Sequence, residues 1–203
     1  PQRGAKATLW VYAPGYVGKT LDSRGCYELT GLKIATRETE CPLHVKITSK
    51  GAQILQGVEE GMLYGTSNVI GPLFYGDDPS ADVLGLLQGH DLPGLITKEI
   101  DGVEVYYSAA PKISSAVIRG IADRAGVHIY NFRDDVLYAN HSFIALHTAE
   151  AGVRSLRFPD KVSLYDIYHD KQVSMNDYTV NIDLPVRETF LYFKGTKEEW
   201  EGR

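Results

Sequence analysis

Residues Ala13 to Thr20, APGYVGKT, have the residue types and spacing of a phosphate-binding loop. They match the pattern GxxxxGK[ST] with alanine in place of the first glycine, and they follow an apolar run typical of a buried strand. In this alternative, Gly18, Lys19 and Thr20 would bind a nucleotide. Two features oppose it: Pro14 lacks the N–H group that such a loop directs at phosphate, and the following segment is a poor helix former. A nucleotide-dependent enzyme is therefore an alternative and not the leading hypothesis.

Two carboxylate doublets, Asp77-Asp78 and Asp134-Asp135, are the candidates for acid–base catalysis or for binding a hard cation. Adjacent residues of an extended chain point to opposite faces, so a doublet alone does not form a two-carboxylate site. Both doublets also lie in sequences that favour turns. We therefore predict turns at both positions.

The histidines and cysteines form no recognisable catalytic or metal-binding pattern. The chain has six histidines and no GxSxG motif, and Cys26 and Cys41 lie outside any CxxC pair or zinc-ligand spacing. We expect no catalytic residue, no metal site and no cofactor in this chain. The two cysteines could pair as a disulfide in a secreted protein or be two unrelated thiols, and we favour the unrelated thiols.

The segment Val103 to Tyr130 contains the clearest helix pattern, between two strand-like runs. Pro111 is placed for the first helical turn, and Gly126 for a left-handed C-terminal cap. The predicted apolar face consists of Ile113, Val117, Ile118, Ile121, Ala122 and Ala125.

The elements before this segment are predicted from shorter patterns. Ala7 to Ala13 reads as a strand buried on both faces, and Leu21 to Leu29 as a short helix closed by Gly31. Gly51 to Ser67 is predicted to be mostly loop. Asp101-Gly102 predicts a hairpin turn between two short strands.

The elements after Tyr130 are predicted to be strands. Seven candidate strands lie about 8–12 residues apart, as in a small antiparallel sandwich, and no run predicts a core helix. The charged end from residue 196 to 203 is expected to fray.

The net charge of −5 over 203 residues argues against a nucleic-acid binder, which would need a basic surface. No apolar run approaches the length of a membrane-spanning helix. The opening residues PQRGAK resemble neither a signal peptide nor a natural start, so we interpret the sequence as processed or shortened at this end. The compartment is not indicated.

Several stretches resemble the C-terminal part of large bacterial glycoside hydrolases of the β-galactosidase type. They are Leu9–Gly18 (LWVYAPGYVG), Glu28–Ala35 (ELTGLKIA), Tyr107–Tyr130, Asp134–Lys171 and Glu188–Gly195 (ETFLYFKG). The resemblance implies a Rossmann-like lobe of the β-galactosidase trimerisation type, followed by a small β-sandwich. It implies catalytic carboxylates on an upstream barrel, so none is carried over to this chain, and it slightly favours an extracellular or periplasmic protein.

The leading hypothesis is an α/β lobe followed by an all-β domain. Residues 1–131 would form a partial Rossmann-like lobe, 132–195 an antiparallel β-sandwich, and 196–203 a charged tail. Since one good helix cannot cover both faces of a doubly wound sheet, the lobe would be incomplete by itself. The expected partners are an upstream catalytic barrel of the same polypeptide or of another chain, a second copy of this chain, or a carbohydrate.

Candidate ligand contacts in this hypothesis lie at strand ends, where open α/β sheets bind ligands. They are Tyr12, Tyr16, Asp77 and Asp78, although half-buried packing is the simpler interpretation of both tyrosines. The alternative of an independent carbohydrate-binding module needs exposed aromatic rings in a row, and its candidates are Tyr138, Tyr165 and Tyr168.

Overall fold

The computed structural model describes residues 6–202 and divides the chain into two compact units. Unit 1 extends as far as Val127, and unit 2 begins at His128. Each unit has its own cluster of buried apolar side chains. The fold is rich in β-strands, with a mixed sheet in unit 1 and an antiparallel sheet in unit 2.

Unit 1 contains a six-stranded sheet, a two-stranded sheet and three helices. Its strands are β1 (Ala7–Val11), β2 (Ile34–Arg37), β3 (Cys41–Ile47), β4 (Leu63–Ile70), β5 (Leu73–Gly76), β6 (Asp82–Leu87), β7 (Pro93–Ile100) and β8 (Val103–Ser108). The helices are α1 (Ser23–Thr30), α2 (Ser49–Ile54) and α3 (Ser115–Arg124). The large sheet has the order β1-β8-β7-β6-β3-β4, and β2 pairs with β5 in the small one.

Strand β1 lies at the edge of the large sheet, where it pairs in parallel with β8. The prediction of a strand buried on both faces is therefore wrong: Ala7 to Trp10 are half-buried and Val11 is exposed. An apolar run is typical of a central strand, but here the described residues supply no neighbour for the second edge of β1.

Helix α3 is confirmed, but it begins later than Pro111 suggested. Ser114 caps its N-terminus by accepting a hydrogen bond from the N–H of Val117, so the proline precedes the helix. Gly126 has the predicted left-handed conformation, with φ of 77°. Val117 and Ile121 are buried, whereas Ile118 is 50% exposed and does not belong to the core face.

Two further predictions in unit 1 have opposite outcomes. The stretch from Gly51 to Ser67 is not mostly loop, because it contains most of α2 and the first part of β4. The hairpin at Asp101-Gly102 is confirmed: both residues have positive φ, 52° and 76°, and β7 pairs antiparallel with β8 across them.

Unit 2 is one five-stranded antiparallel sheet with the order β12-β11-β13-β10-β9. Its elements are β9 (Val136–Ala139), β10 (Phe143–His147), β11 (Gly152–Asp166), β12 (Lys171–Leu184), β13 (Thr189–Lys194) and α4 (Lys197–Glu201). Two predicted strands merge into β11, and Val127 to Asn131 forms no strand. The strands predicted for a small sandwich belong to one hydrogen-bonded sheet, in which the pairing of β11 with β12 contains register shifts.

The end of the chain forms a short helix where fraying was predicted. Thr196 and Glu199 form a reciprocal capping box at the N-terminus of α4. Trp200 packs against Phe143 and Phe193, with ring centroids 6.1 and 5.7 Å apart. This aromatic contact attaches the helix to the sheet.

Candidate functional site

The two tyrosines predicted to contact ligand both pack against one buried ring. Tyr12 and Tyr16 both pack edge-on against Phe74 of β5, with centroid distances of 5.0 and 4.9 Å. The Tyr12 hydroxyl donates to the carbonyl oxygen of Pro72 at 3.0 Å, and burial, then the charges of Cys41 and Glu40, raise its pKa. These contacts give both rings a packing function, and ligand binding by them stays a prediction.

The phosphate-loop-like segment forms a small hairpin. Val17 bridges to Leu21, and the N–H of Gly18 donates to the carbonyl oxygen of Thr20 at 3.2 Å, so that group is already used within the loop. Lys19 is exposed. Helix α1 begins at Ser23, after the hairpin, and the carboxylate of Asp22 caps its N-terminus. A carboxylate at that position repels phosphate, so the geometry does not favour the nucleotide alternative, which remains untested.

A close backbone contact holds this loop against α1. A Cβ atom on Gly15 would lie 2.4 Å from the carbonyl oxygen of Gly25. A Cβ atom on Gly25 would lie 2.2 Å from the carbonyl oxygen of Gly15. Both positions therefore require glycine. A Cβ atom on Gly18, by contrast, would make an ordinary van der Waals contact, with its nearest neighbouring atom at 3.7 Å.

Asp77 and Asp78 directly follow β5 and have different environments. Asp78 is buried and accepts hydrogen bonds from both the N–H and the hydroxyl of Ser80, at 3.1 and 2.6 Å. Lys98 also contacts it at 3.3 Å. Burial raises the pKa of Asp78, but these hydrogen bonds and that of the Lys33 N–H lower it by more. Asp78 thus stabilises a turn, while Asp77 is exposed and free to contact solvent or ligand.

Asp77 is part of the wall of an open cavity of about 600 Å³ beside α1 and β2. The other charged residues of the wall are Arg24, Glu28 and Lys33, and Tyr27 supplies an aromatic ring. Both signs of charge are present, so the cavity is suited to a polar neutral ligand or to a polypeptide surface. Of the four predicted ligand contacts, Asp77 alone lies in its wall.

A charged group that the sequence analysis missed connects α3 to the sheet. Arg124, the last residue of α3, binds Glu104 of β8, which also accepts a hydrogen bond from Tyr106 at 2.7 Å. The hydrogen bond from Arg124 lowers the pKa of Glu104. Burial, together with the Glu104 carboxylate, raises the pKa of Tyr106 to about 12.

Asp135 of the second doublet forms a buried ion pair in unit 2. Its side chain is 1% exposed, and the partner Arg154 is 0% exposed. Two guanidinium N–H groups of Arg154 donate to its two oxygens, both at 2.9 Å, and Asn131 and the Ala149 N–H donate as well. The sequence signal for this ion pair was Arg154 itself, which lies at the same alternate positions as Leu156 and Phe158 on the buried face of β11.

The remaining expectations concern metals, cysteines, membranes and exposed aromatic rings. Within residues 6–202, no three acidic, histidine or cysteine side chains are placed to hold a metal ion. Cys26 and Cys41 are free thiols. None of the described helices is both long and apolar enough to cross a membrane. Tyr138 and Tyr168 are exposed, but Tyr165 is buried and cannot present its ring in a row with them.

No family model matches the sequence, and no curated protein matches it. The solved structure of a β-galactosidase shares its fold. The β-galactosidase from Bacillus circulans sp. alkalophilus superposes with a TM-score of 0.51 and 12% identity, covering 93% of this chain and 29% of that enzyme. A catalytic mutant of Gan42B, a GH42 β-galactosidase from G. stearothermophilus, has a TM-score of 0.48 and 12% identity, covering 93% and 28%. The β-galactosidase from the haloarchaeon Halorubrum lacusprofundi has a TM-score of 0.49 and 13% identity, covering 93% and 27%.

The comparison of folds rests on the Bacillus enzyme, which has the highest TM-score of the three. At this identity the likeness shows a shared fold and does not transfer an activity. The chain spans less than a third of the length of that enzyme.

Proposed function

We propose that this chain is a non-catalytic, C-terminal accessory region of a glycoside hydrolase-like protein related to β-galactosidases. The observation that carries the proposal is the shared fold: 93% of the chain superposes on 29% of the Bacillus enzyme. Activity would then reside in an upstream catalytic barrel, in the same polypeptide or in another chain. The region would support that barrel, provide oligomer contacts or shape the approach to a sugar cleft.

The open edge of β1 supports the idea of an incomplete Rossmann-like lobe. β1 and β8 form a parallel pair, the kind of pairing on which the sheets of α/β folds are built. Within the described chain, β1 has β8 as its neighbour on one side and none on the other. In the proposal, a strand from the rest of the parent protein pairs with this edge and completes the lobe.

Exposed apolar side chains near the start of unit 1 support a contact with another polypeptide surface. Val17 and Leu21, which bridge the small hairpin, are 77% and 68% exposed. Exposed apolar residues that lie together are typical of protein–protein contact sites. We assign the catalytic barrel or a second copy of the chain to this surface, which we call the hairpin surface (Val17 and Leu21).

The first test compares this chain with the parent protein that its gene encodes. We expect the parent to hydrolyse a chromogenic β-galactoside and the 203-residue chain alone to hydrolyse none. Hydrolysis by the purified chain that persists through every further purification step would overturn the accessory assignment.

The second test addresses the hairpin surface in the parent protein. Leu21→Asp should weaken the contact and lower either the oligomeric state, measured by light scattering, or the thermal stability of the barrel. Val69→Asp is the matched control, because Val69 is a similarly exposed apolar residue on β4, at the other end of the sheet. Equal behaviour of the two variants would contradict the assignment of this surface.

A further inference from the structure

Strand β2 pairs with β5 along one edge, and no described strand pairs with its other edge. On the paired edge, the N–H of Asp77 donates to the carbonyl oxygen of Lys33 at 2.8 Å, in the same register as the rest of the pair. Hydrogen bonds of an antiparallel pair alternate along each strand, so Lys33 and Ala35 bond to β5. Ile34 and Thr36 therefore direct their backbone N–H and C=O groups to the unpaired edge.

The unpaired edge of β2 lies in the wall of the open cavity of about 600 Å³ beside α1. Four consecutive residues, 33–36, line the cavity. Side chains of a strand alternate between its two faces, so a cavity that contacts four residues in a row follows the edge of the strand. The opposite wall is one side of α1, with the residues Ser23, Arg24, Tyr27 and Glu28. We call this cavity between α1 and residues 33–36 the edge groove.

The backbone groups along this edge are complementary to another extended polypeptide. Ile34 and Thr36 lie two residues apart, about 7 Å along the strand, and a second strand repeats its donors and acceptors with the same spacing. The cavity contacts both residues, although Ile34 is only 5% exposed. Residues 33–36 span about 10 Å, which matches an extended segment of about four residues. An unpaired edge beside a helix is therefore suited to strand addition.

The charged side chains of the edge groove favour a basic residue in such a segment. They are Arg24, Glu28, Lys33 and Asp77. Arg24 already forms an ion pair with Asp22 at 2.5 Å. Two exposed carboxylates, of Glu28 and Asp77, then face one exposed ammonium group, of Lys33. The balance that remains for a ligand is negative.

We propose that the edge groove binds an extended segment of another protein, which carries a basic residue and adds to β2 as a third strand beside β5. The segment bonds to the backbone of Ile34 and Thr36, and the carboxylates of Glu28 and Asp77 attract its basic side chain. The β2 edge of a second copy does not fit, because α1 accompanies that edge in each copy. This site does not depend on the proposed accessory function, which is argued from the shared fold.

The test uses the full chain labelled with ¹⁵N and a blocked pentapeptide, in which a central lysine lies between two valines and two outer threonines. In the free chain, amide hydrogen exchange should be faster at Ile34 and Thr36 than at Ala35, whose N–H is directed at β5. The peptide should bind saturably. At a concentration of about ten times its Kd, it should slow exchange at Ile34 and Thr36 about tenfold, since exchange then needs the unbound chain.

Two variants test the backbone and the charge of the edge groove separately. Thr36→Pro removes an outward N–H, a change that an edge strand tolerates, and should weaken peptide binding about fivefold. Glu28→Lys should weaken binding of the lysine peptide and strengthen binding of the same peptide with a central glutamate, and it serves alone if Thr36→Pro does not fold. Glu59→Lys, the same charge change at an exposed residue outside the groove, should alter neither affinity.

Four results would overturn the proposal. The first is an absence of saturable binding by the lysine peptide at millimolar concentration. The second is equal exchange at Ile34, Thr36 and Ala35 in the free chain, which would mean that the edge is already covered. The third is equal binding of a peptide methylated on every backbone nitrogen, which cannot donate to a strand. The fourth is a dimer, detected by light scattering, whose formation protects Ile34 and Thr36 without peptide, because a second copy would then be the occupant.

Discussion

Removal of the Asp135 carboxylate should destabilise unit 2 more than any change at an exposed acidic residue. In Asp135→Ala, Arg154 keeps its positive charge at 0% exposure, and the donors on Asn131 and Ala149 lose their acceptor. Hydrogen bonds to charged groups contribute about 1.5–3 kcal/mol each, so the two from Arg154 alone correspond to about 3–6 kcal/mol. Breaking a buried ion pair from one side costs a similar amount, about 3–5 kcal/mol. We expect Asp135→Ala to lower the free energy of unfolding of unit 2 by about 3–6 kcal/mol.

The two tryptophans allow the effect to be measured in unit 2 separately. Trp10 belongs to unit 1 and Trp200 to unit 2, so a Trp10→Phe background leaves one fluorescent reporter in unit 2. Urea unfolding followed at this reporter gives the free energy of unfolding. Asp160→Ala, at an exposed position of β11, is the control and should change it by less than about 0.5 kcal/mol.

A double variant and a minimum loss of unfolding free energy make this prediction refutable. Asp135→Leu combined with Arg154→Met removes both charges, so it should cost less than Asp135→Ala, which leaves one charge buried. A loss below about 1 kcal/mol in Asp135→Ala would match an exposed ion pair and would refute the reasoning.

The same ion pair predicts a dependence of stability on pH. Burial raises the pKa of Asp135, but hydrogen bonds from Arg154, Ala149 and Asn131 lower it by more, so the folded-state pKa lies below the unfolded value. The stabilisation is complete above the unfolded pKa of about 3.9 and is lost as the pH falls through the folded pKa. Unfolding at Trp200 should therefore become easier below about pH 4, and Asp135→Asn should lessen this acid dependence. An unchanged acid profile in that variant would contradict the assignment.

Three further predictions concern unit 1. Gly25→Ala should lower the free energy of unfolding by about 1–3 kcal/mol, because its Cβ would meet a backbone carbonyl oxygen at 2.2 Å. The control Gly18→Ala should leave the free energy of unfolding nearly unchanged. Equal losses for the two variants in urea unfolding would count against the close contact. Glu104→Gln should bring the pKa of Tyr106 down from about 12, since it removes the carboxylate that adds to the effect of burial. Spectrophotometric titration of the phenol measures this pKa. An unchanged pKa would exclude a contribution from the Glu104 carboxylate. ATP with magnesium should give no heat of binding in calorimetry, and saturable binding that disappears in Lys19→Ala would instead support the nucleotide alternative.

Local sequence signals predicted those elements whose conformation is set by a few neighbouring residues. Gly126 ends α3 because only glycine readily takes its positive φ, and Asp101-Gly102 forms the predicted hairpin for the same reason. Leu43, Val45 and Ile47 alternate with less apolar residues and lie on the buried face of β3, as the period of two residues in a strand requires. In each case the residues that form the sequence pattern also determine the local conformation.

The errors arise where partners distant in sequence decide the structure. Ile118 follows the helical apolar period but is exposed, because the described chain supplies no element to cover it. The composition of β1 is that of a central strand, although its position in the sheet is an edge. The register shifts in the pairing of β11 with β12 depend on how the two strands pack in the sheet, which the sequence does not reveal.

The candidate sites divide in the same way. Turn sequences at Asp78 were recognisable because Ser80, two residues later, supplies the hydrogen-bond donors. The edge groove was not recognisable, since the edge of β2 that stays unpaired is decided by its pairing with β5, which lies much later in the chain. The long-range pairing of Arg154 with Asp135 was likewise hidden, although the phase of Arg154 in its strand was visible.

The parallel pairing of β1 with β8 has a consequence for synthesis of the protein. Ala7 pairs with Glu104, so the first strand of the sheet waits for a partner made about 100 residues later. At a translation rate of about 5–20 residues per second, β1 leaves the ribosome roughly 5–20 s before β8 does. During that interval the backbone edge that later pairs with β8 is accessible to chaperones and to neighbouring nascent chains. Slower translation would lengthen this interval, and the yield of soluble protein should fall accordingly.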